Sequence, residues 1–145
     1  MKIVILDGYT TNPGDNPWER IEALGEVTVY DRTPDELFFE RAGQADILVT
    51  NKTLFDETTL ERLDNLKCIC VLATGVNNID TRAAADRGIV VCNVPAYSTA
   101  SVAQFTFALL LELCHRVAHH DRQVHAGRWT AGPHFCFWDT PQVEL

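Results

Sequence analysis

Continuous apolar runs alternate with helical patterns along the first part of the chain. Five runs are rich in aliphatic and β-branched residues without polar alternation, which predicts strands of a parallel sheet covered on both faces. They span residues 2–6, 27–30, 47–50, 68–73 and 89–93. The segments between them have the apolar spacing of helices, over residues 18–24, 34–42, 57–63 and 80–87. This order predicts an α/β domain over residues 1–99, with a flavodoxin-like, doubly wound sheet of five parallel strands.

Local signals mark the ends of the predicted helices. Thr33-Pro34 offers a capping hydroxyl and a first-turn proline. Gly25, Gly43 and Gly88 each follow a helical segment, where a residue that accepts positive φ ends a helix.

The chain changes character at Ser98. Residues 102–114 are apolar almost all round the predicted helix, and such a helix must be buried on all sides. The pattern Ser101-x-x-Gln104 fits a capping box at its start. A polar half follows to residue 126, and an aromatic loop covers residues 130–145. We expect the 100–126 helix to pack against another domain or to form a homodimer.

Composition and charge narrow the class of protein. The chain has 145 residues, 46% of them hydrophobic and 22% charged, which suits one folded core. The formal net charge of -8 argues against nucleic acid or an anionic membrane as partner, because both need a basic face. No apolar run reaches the roughly 20 residues of a membrane span, and no signal peptide is evident, so we expect a cytoplasmic protein.

Cysteine and histidine patterns do not predict a metal site. Cys68, Cys70 and Cys92 lie in apolar strands and fit no zinc spacing, so we expect reduced, buried and inert thiols. His115 and His119 share a face of the predicted long helix, but no H-E-x-x-H motif accompanies them.

Polar groups cluster where predicted strands end, which is where parallel sheets bind ligands. Asp7-Gly8 follows the first strand and Asn51-Lys52 the third. Asn51 could bond a substrate oxygen and Lys52 could attract a carboxylate, although a solvated lysine is the simpler interpretation. After the fourth strand come Ala73, Thr74, Gly75, Val76 and Asn77. A glycine there lets backbone N–H groups approach an anion, but by spacing alone it is an ordinary turn.

Three segments in this order resemble one known family. They are residues 73–80 (ATGVNNID), residues 91–95 (VCNVP) and the apolar helical stretch 98–113. Together they resemble the amino-terminal third of the D-isomer-specific 2-hydroxyacid dehydrogenases, and most closely the branch of glycerate dehydrogenases, or hydroxypyruvate reductases. Asn77 departs from the Asp found in many members, whereas that branch often has Asn. This difference bears on the substrate more than on the fold.

The resemblance implies an oxidoreductase that transfers a hydride between NAD or NADP and a 2-oxo acid. Residues 1–99 would form the substrate domain, and residues 100–145 would begin a Rossmann cofactor domain. The N–H groups of Gly75 and Val76 would hold the substrate carboxylate. The other residues implied at the substrate site are Ala73, Thr74, Asn51 and Lys52, while Thr99 and Val102 would face the nicotinamide.

The resemblance also implies that the family's catalytic residues and cofactor-binding turn lie outside residues 1–145. The family's catalytic His, Glu and Arg lie in or after the cofactor domain, and this chain has no counterpart of them and no G-x-G-x-x-G turn. We therefore expect the 145-residue chain to bind no cofactor and to reduce neither hydroxypyruvate nor glyoxylate. The alternative is a non-catalytic interaction module, similar to corepressors of this fold, that self-associates through the 100–126 helix.

Overall fold

A five-stranded parallel sheet forms the first of two compact units, Met1–Tyr97 and Ser98–Leu145. The computed structural model describes residues 1–141 and 143–144. The strand order is β2-β1-β3-β4-β5, so the predicted α/β sheet is confirmed. The strands are β1 (Lys2–Ile5), β2 (Glu26–Val29), β3 (Ile47–Thr50), β4 (Cys68–Val71) and β5 (Val90–Cys92). The helices of this unit are α1 (Glu19–Glu22), α2 (Phe38–Ala42), α3 (Glu57–Leu60) and α4 (Thr81–Asp86), with 3-10 turns at Gly8–Thr10 and Asp35–Leu37.

The core lies on the two faces of the central strands. Leu48 and Ile69 are fully buried in the larger cluster, and Ile5 is fully buried in the smaller one. The prediction that every strand is covered on both faces is wrong for β2 and β5, in which no residue is buried. Val90 of β5, for example, is 57% exposed. These strands end the sheet, so each has one neighbouring strand and less of the unit packs over it.

The helices of the first unit are shorter than predicted. The helix predicted over 57–63 is α3. Asp56 caps its start, because the Asp56 carboxylate accepts a hydrogen bond from the N–H of Thr59, and the helix ends at Leu60. Among the three glycines expected at positive φ, only Gly88 has it, at 69°. Gly43 ends α2 at φ −61°, and Gly25 permits close approach, because a Cβ there would collide with the carbonyl oxygen of Met1.

Among the described residues of the second unit, three segments are helical: α5 (Thr99–His115), α6 (Val117–His125) and α7 (Arg128–Ala131). The predicted single helix to residue 126 is wrong, because Arg116 adopts a left-handed conformation (φ 49°, ψ 46°) and separates α5 from α6. The predicted capping box does not form, because α5 begins at Thr99 and Ser101 lies inside it. The predicted loop over 130–145 begins after Ala131, and its positions 142 and 145 lie outside the described residues.

The apolar helix α5 has no buried residue within this chain. Phe105 is 65% exposed and Leu113 is 76% exposed. Throughout residues 1–141 and 143–144, no helix is both long and apolar enough to span a membrane.

Candidate functional site

The Asp7 carboxylate organises the loop that follows β3. Its two oxygens accept hydrogen bonds from the N–H of Asn51 at 2.9 and 2.8 Å, and one also accepts from the N–H of Lys52 at 2.8 Å. The hydroxyl of Thr50, which is fully buried, donates to the same carboxylate at 3.3 Å. Hydrogen bonds to a charged acceptor are stronger than neutral ones. Asp7 therefore fixes the backbone that carries Asn51 and Lys52.

The side chains of this loop differ in what they contact. The amide nitrogen of Asn51 lies 3.5 Å from the hydroxyl of Thr10, at the limit of a hydrogen bond. Lys52 is exposed, and its ammonium makes no ion pair with any residue the structure describes. Its positive charge is therefore available to a ligand.

The turn after β4 is held by the segment that follows β5. The carbonyl oxygen of Ala73 accepts from the N–H of Val94 at 3.1 Å. The amide of Asn93 donates to the carbonyl oxygen of Thr74 at 2.7 Å, and the Thr74 hydroxyl donates to the carbonyl oxygen of Val94 at 3.3 Å. These bonds fix the turn while leaving Thr74 and Gly75 exposed.

Two consecutive N–H groups in this turn have no acceptor among the described residues. Within the described part of the chain, neither the N–H of Gly75 nor that of Val76 donates a hydrogen bond. The Val76 side chain packs against the core, whereas a Cβ on Gly75 would meet no atom within 4 Å. Gly75 is also not among the glycines with positive φ. Neither the backbone conformation nor crowding requires glycine here, and the turn offers two donors to an incoming anion.

Asn78 joins the loop after β3 to the turn after β4. Its amide donates to the carbonyl oxygen of Thr53 at 2.9 Å, and its own carbonyl oxygen accepts from the N–H of Phe55 at 2.8 Å. The predicted substrate residues therefore lie on two loops that are tied together at one edge of the sheet. The sequence placed Asp7 among the strand-end groups expected near a ligand, but it did not predict that Asp7 fixes the loop after β3, and it gave no role to Asn78. The available signal for Asp7 was a carboxylate directly after an apolar strand.

A cavity of about 640 Å³ lies on the side of this edge toward β2. It is bordered by residues that follow β1, β2 and β3, including Tyr9, Arg32 and Leu54. Of the predicted substrate residues, Lys52 lines it and Gly75 and Val76 do not. The cavity and the Gly75 turn are therefore separate features of the first unit.

The thiols are partly as expected. All five cysteines are free, and Cys68 and Cys70 are half-buried with their sulfurs 3.8 Å apart. Burial, followed by the neighbouring Cys70 thiol, raises the pKa of Cys68 to about 12, so this thiol is inert at neutral pH. The prediction that Cys92 is buried is wrong, because it lies exposed on the edge strand β5.

Histidines of the second unit do not form the predicted helical pair. His115 ends α5, whereas His119 lies in α6 beyond the break at Arg116, so they do not share one helix face. In residues 1–141 and 143–144, no group of three or more His, Cys, Asp or Glu side chains is placed to hold a metal ion.

Asp139 instead ties the aromatic loop to the helices of the second unit. Its carboxylate accepts a hydrogen bond from Arg128 and lies 2.6 Å from Nε2 of His119. The Arg128 guanidinium, and secondarily His119, lowers the pKa of Asp139 to about 2. Arg128 also lies 4.9 Å from the ring centre of Phe137. Asp139 therefore connects the aromatic loop to α6 through His119 and to α7 through Arg128.

Acid is expected to release this loop in a defined range of pH. Because the pKa of Asp139 is lowered from 3.8, its contribution to stability is present above about pH 3.8 and is lost as pH falls through about 2. We expect the indole N–H resonances of Trp129 and Trp138 to shift over that range. In Asp139→Asn, both resonances should already have at neutral pH the positions that wild type reaches in acid. Asp121→Asn, which removes another carboxylate of this unit, should behave as wild type. Identical acid profiles for wild type and Asp139→Asn would contradict this role.

The two residues predicted at the nicotinamide lie in the first turn of α5. Thr99 is its first residue. Val102 is 60% exposed, and its N–H donates to the carbonyl oxygen of Ser98 at 2.8 Å.

The sheet order defines an α/β domain of five parallel strands, with an exposed turn after β4. A sequence model of the D-isomer specific 2-hydroxyacid dehydrogenase catalytic domain matches residues 3–135. The chain belongs to the D-isomer-specific 2-hydroxyacid dehydrogenase family, a family of oxidoreductases, which confirms the predicted resemblance.

Individual relatives agree with this assignment. A hydroxypyruvate reductase of Blautia hydrogenotrophica is 52% identical over 148 aligned residues, which cover 100% of this chain and 46% of the relative. A glycerate dehydrogenase of Methylorubrum extorquens is 34% identical over 78% of this chain and 36% of its own length. An acyclic imino acid reductase, solved with NADPH and D-Arg, superposes with a TM-score of 0.72 at 28% identity, over 88% of this chain and 41% of that one. The chain spans less than half the length of these relatives.

Proposed function

We propose that this chain is the substrate-binding part of an oxidoreductase that transfers a hydride between NAD or NADP and a 2-oxo acid such as hydroxypyruvate, giving D-glycerate. The observation that carries the proposal is the pair of free N–H groups at Gly75 and Val76. The identity of 52% to a hydroxypyruvate reductase supports this substrate class. We assign residues 1–99 to the substrate domain and residues 100–145 to the start of the cofactor domain.

The chemistry of the turn suits a carboxylate. Two adjacent N–H donors can each bond one carboxylate oxygen, and charge-assisted bonds of this kind are short and strong. In a chain with a net charge of -8, the ammonium of Lys52 offsets the repulsion that an anion meets on approach. Asn51 can donate its amide hydrogen to the oxo or hydroxyl oxygen next to the carboxylate. Ala73 and Thr74 contribute the backbone that aims the two N–H groups.

The nicotinamide supplies or accepts the hydride when the cofactor is bound. Thr99 and Val102 would contact its nicotinamide end from the first turn of α5. The 145 residues contain no G-x-G-x-x-G turn, so they do not themselves form a cradle for the cofactor's pyrophosphate. Their part in the reaction is to bind and orient the 2-oxo acid through its carboxylate. A cytoplasmic location remains a prediction from the sequence.

Backbone amide resonances provide the direct test. In a titration of the 145-residue chain with D-glycerate, we expect the Gly75 and Val76 amide protons to shift downfield and to saturate with a Kd on the order of 1 mM. Glycerol, in which a CH2OH group replaces the carboxylate, should leave both resonances in place. Equal shifts with glycerol, or shifts confined to other residues, would overturn the proposed carboxylate site.

We also propose that α5 is a self-association surface that forms a homodimer. None of the α5 residues is buried, and its exposed apolar side chains include Phe105 and Leu113. Exposed apolar surface on a helix is typical of a protein–protein interface. A homodimer through α5 is expected whether the chain is part of an enzyme or is a non-catalytic interaction module.

Sedimentation tests the dimer. At micromolar concentration we expect the wild-type chain to sediment as a dimer and Phe105→Glu to sediment as a monomer. Leu24→Glu, a change at a 63% exposed leucine of the first unit, should leave the dimer intact. A wild-type monomer, or dissociation by the control alone, would contradict the assignment.

A further inference from the structure

We propose that the 640 Å³ cavity is a second ligand site, for a zwitterionic small molecule of the α-amino acid class with an apolar side chain. The cavity is bordered by the loops that follow β1, β2 and β3. In the strand order β2-β1-β3, the direction of the chain connections reverses between β1 and β3. Open α/β sheets bind ligands at that reversal, beyond the carboxyl ends of the strands. The Gly75 turn lies further along the sheet, after β4.

The wall on the β2 side is formed in advance of any ligand. The N–H of Gly8 donates to the carbonyl oxygen of Tyr30 at 2.9 Å, which ties the end of β1 to the end of β2. The Arg41 guanidinium donates to the carbonyl oxygen of Arg32 at 2.8 Å and to the hydroxyl of Thr33 at 3.2 Å. A site with fixed walls loses less conformational entropy when it binds.

Apolar side chains provide part of the lining. Phe38 is 7% exposed, and its ring centre lies 5.0 Å from that of Phe39 and 5.5 Å from that of the fully packed Phe55. Leu54, at 73% exposure, borders the opening. An aliphatic or aromatic group that enters the cavity removes apolar surface from water on both sides of the contact.

The charged side chains of the lining have both signs. Arg32 and Lys52 are the cations, and Asp7, Asp31 and Asp35 are the acids that border the same space. None of these five makes an ion pair within residues 1–141 and 143–144, although the Asp7 carboxylate accepts hydrogen bonds from the loop after β3. A simple anion would meet three carboxylates, and a simple cation would meet two basic groups. A zwitterion satisfies both signs at once, which favours the amino-acid class.

This site does not depend on the proposed dehydrogenase function. Gly75 and Val76 do not line the cavity, whereas Lys52 and Asp7, which fixes the Lys52 loop, border it. Variants at Arg32 and Asp35 therefore separate the two proposals, because they leave the carboxylate turn intact.

L-Phenylalanine is the probe for a calorimetric or NMR titration of the 145-residue chain. We expect saturable binding with a Kd on the order of 1 mM, and at least about fivefold weaker binding of three analogues. These are 3-phenylpropionate, which lacks the ammonium, phenethylamine, which lacks the carboxylate, and glycine, which lacks the apolar group.

Variants at exposed charges complete the experiment. Arg32→Gln and Asp35→Asn should each weaken L-phenylalanine binding at least about fivefold, since each loses a charge-assisted contact. The matched control Arg82→Gln, at an exposed arginine of α4, and Gly75→Ala should bind it as wild type does. No saturable binding, equal affinity for 3-phenylpropionate, or insensitivity to both cavity variants would overturn the proposal. If the cavity variants leave D-glycerate binding unchanged, the carboxylate turn and the cavity are independent sites.

Discussion

Replacing Gly75 by Ala is expected to weaken D-glycerate binding about 10- to 100-fold without loss of stability. A Cβ at this position meets no protein atom within 4 Å, so the folded chain accommodates it. The added methyl would instead stand where a carboxylate must approach the two free N–H groups. Hydrogen bonds to a charged group contribute about 1.5–3 kcal/mol, and their loss corresponds to that range of affinity. The NMR titration of the amide resonances measures the change.

Gly88→Ala is the matched control for this variant. Its Cβ also has open space, but Gly88 adopts φ 69°, which an alanine reaches only with strain. We expect Gly88→Ala to lower the free energy of unfolding by about 1 kcal/mol and to leave D-glycerate affinity unchanged. If Gly75→Ala unfolds as readily as Gly88→Ala, or binds D-glycerate like wild type, the turn is structural and the carboxylate site fails.

Asp7→Asn is expected to lower the free energy of unfolding by about 2 kcal/mol. The native carboxylate accepts from the N–H groups of Asn51 and Lys52 and from the buried hydroxyl of Thr50. An amide has one accepting oxygen and no charge, so at least one of these donors loses its partner. Urea unfolding, followed by circular dichroism, measures the effect.

An Asp-to-Asn substitution at an exposed site is the control for the lost charge. Asp15→Asn removes the same charge from an exposed loop carboxylate and should change stability by less than about 0.5 kcal/mol. D-Glycerate should also bind less tightly to Asp7→Asn, because the loop that carries Lys52 is no longer fixed. Equal stability of the two variants would show that Asp7 does not organise this loop.

The positions of the strands were predictable because each strand coincides with a short, continuous apolar run in the sequence. Residues 47–50 form β3 with the predicted bounds, and the other four strands lie within two residues of theirs at each end. Exposure of the edge strands was not predictable in the same way. An apolar residue such as Val90 has the same local pattern in an edge strand as in a central one, and only the strand order distinguishes them.

By itself, the sequence determined the class of fold and the turn at residues 73–76, since both are recorded in short, contiguous patterns. Tertiary structure alone decided that Asp7 binds a loop 44 residues away in the chain, and that loops after three strands enclose a cavity of mixed charge. It also decided that Arg116 interrupts a helix whose pattern continues through it. Local periodicity reports which side of an element is apolar. Partners distant in the chain meet only when the sheet brings their strand ends together.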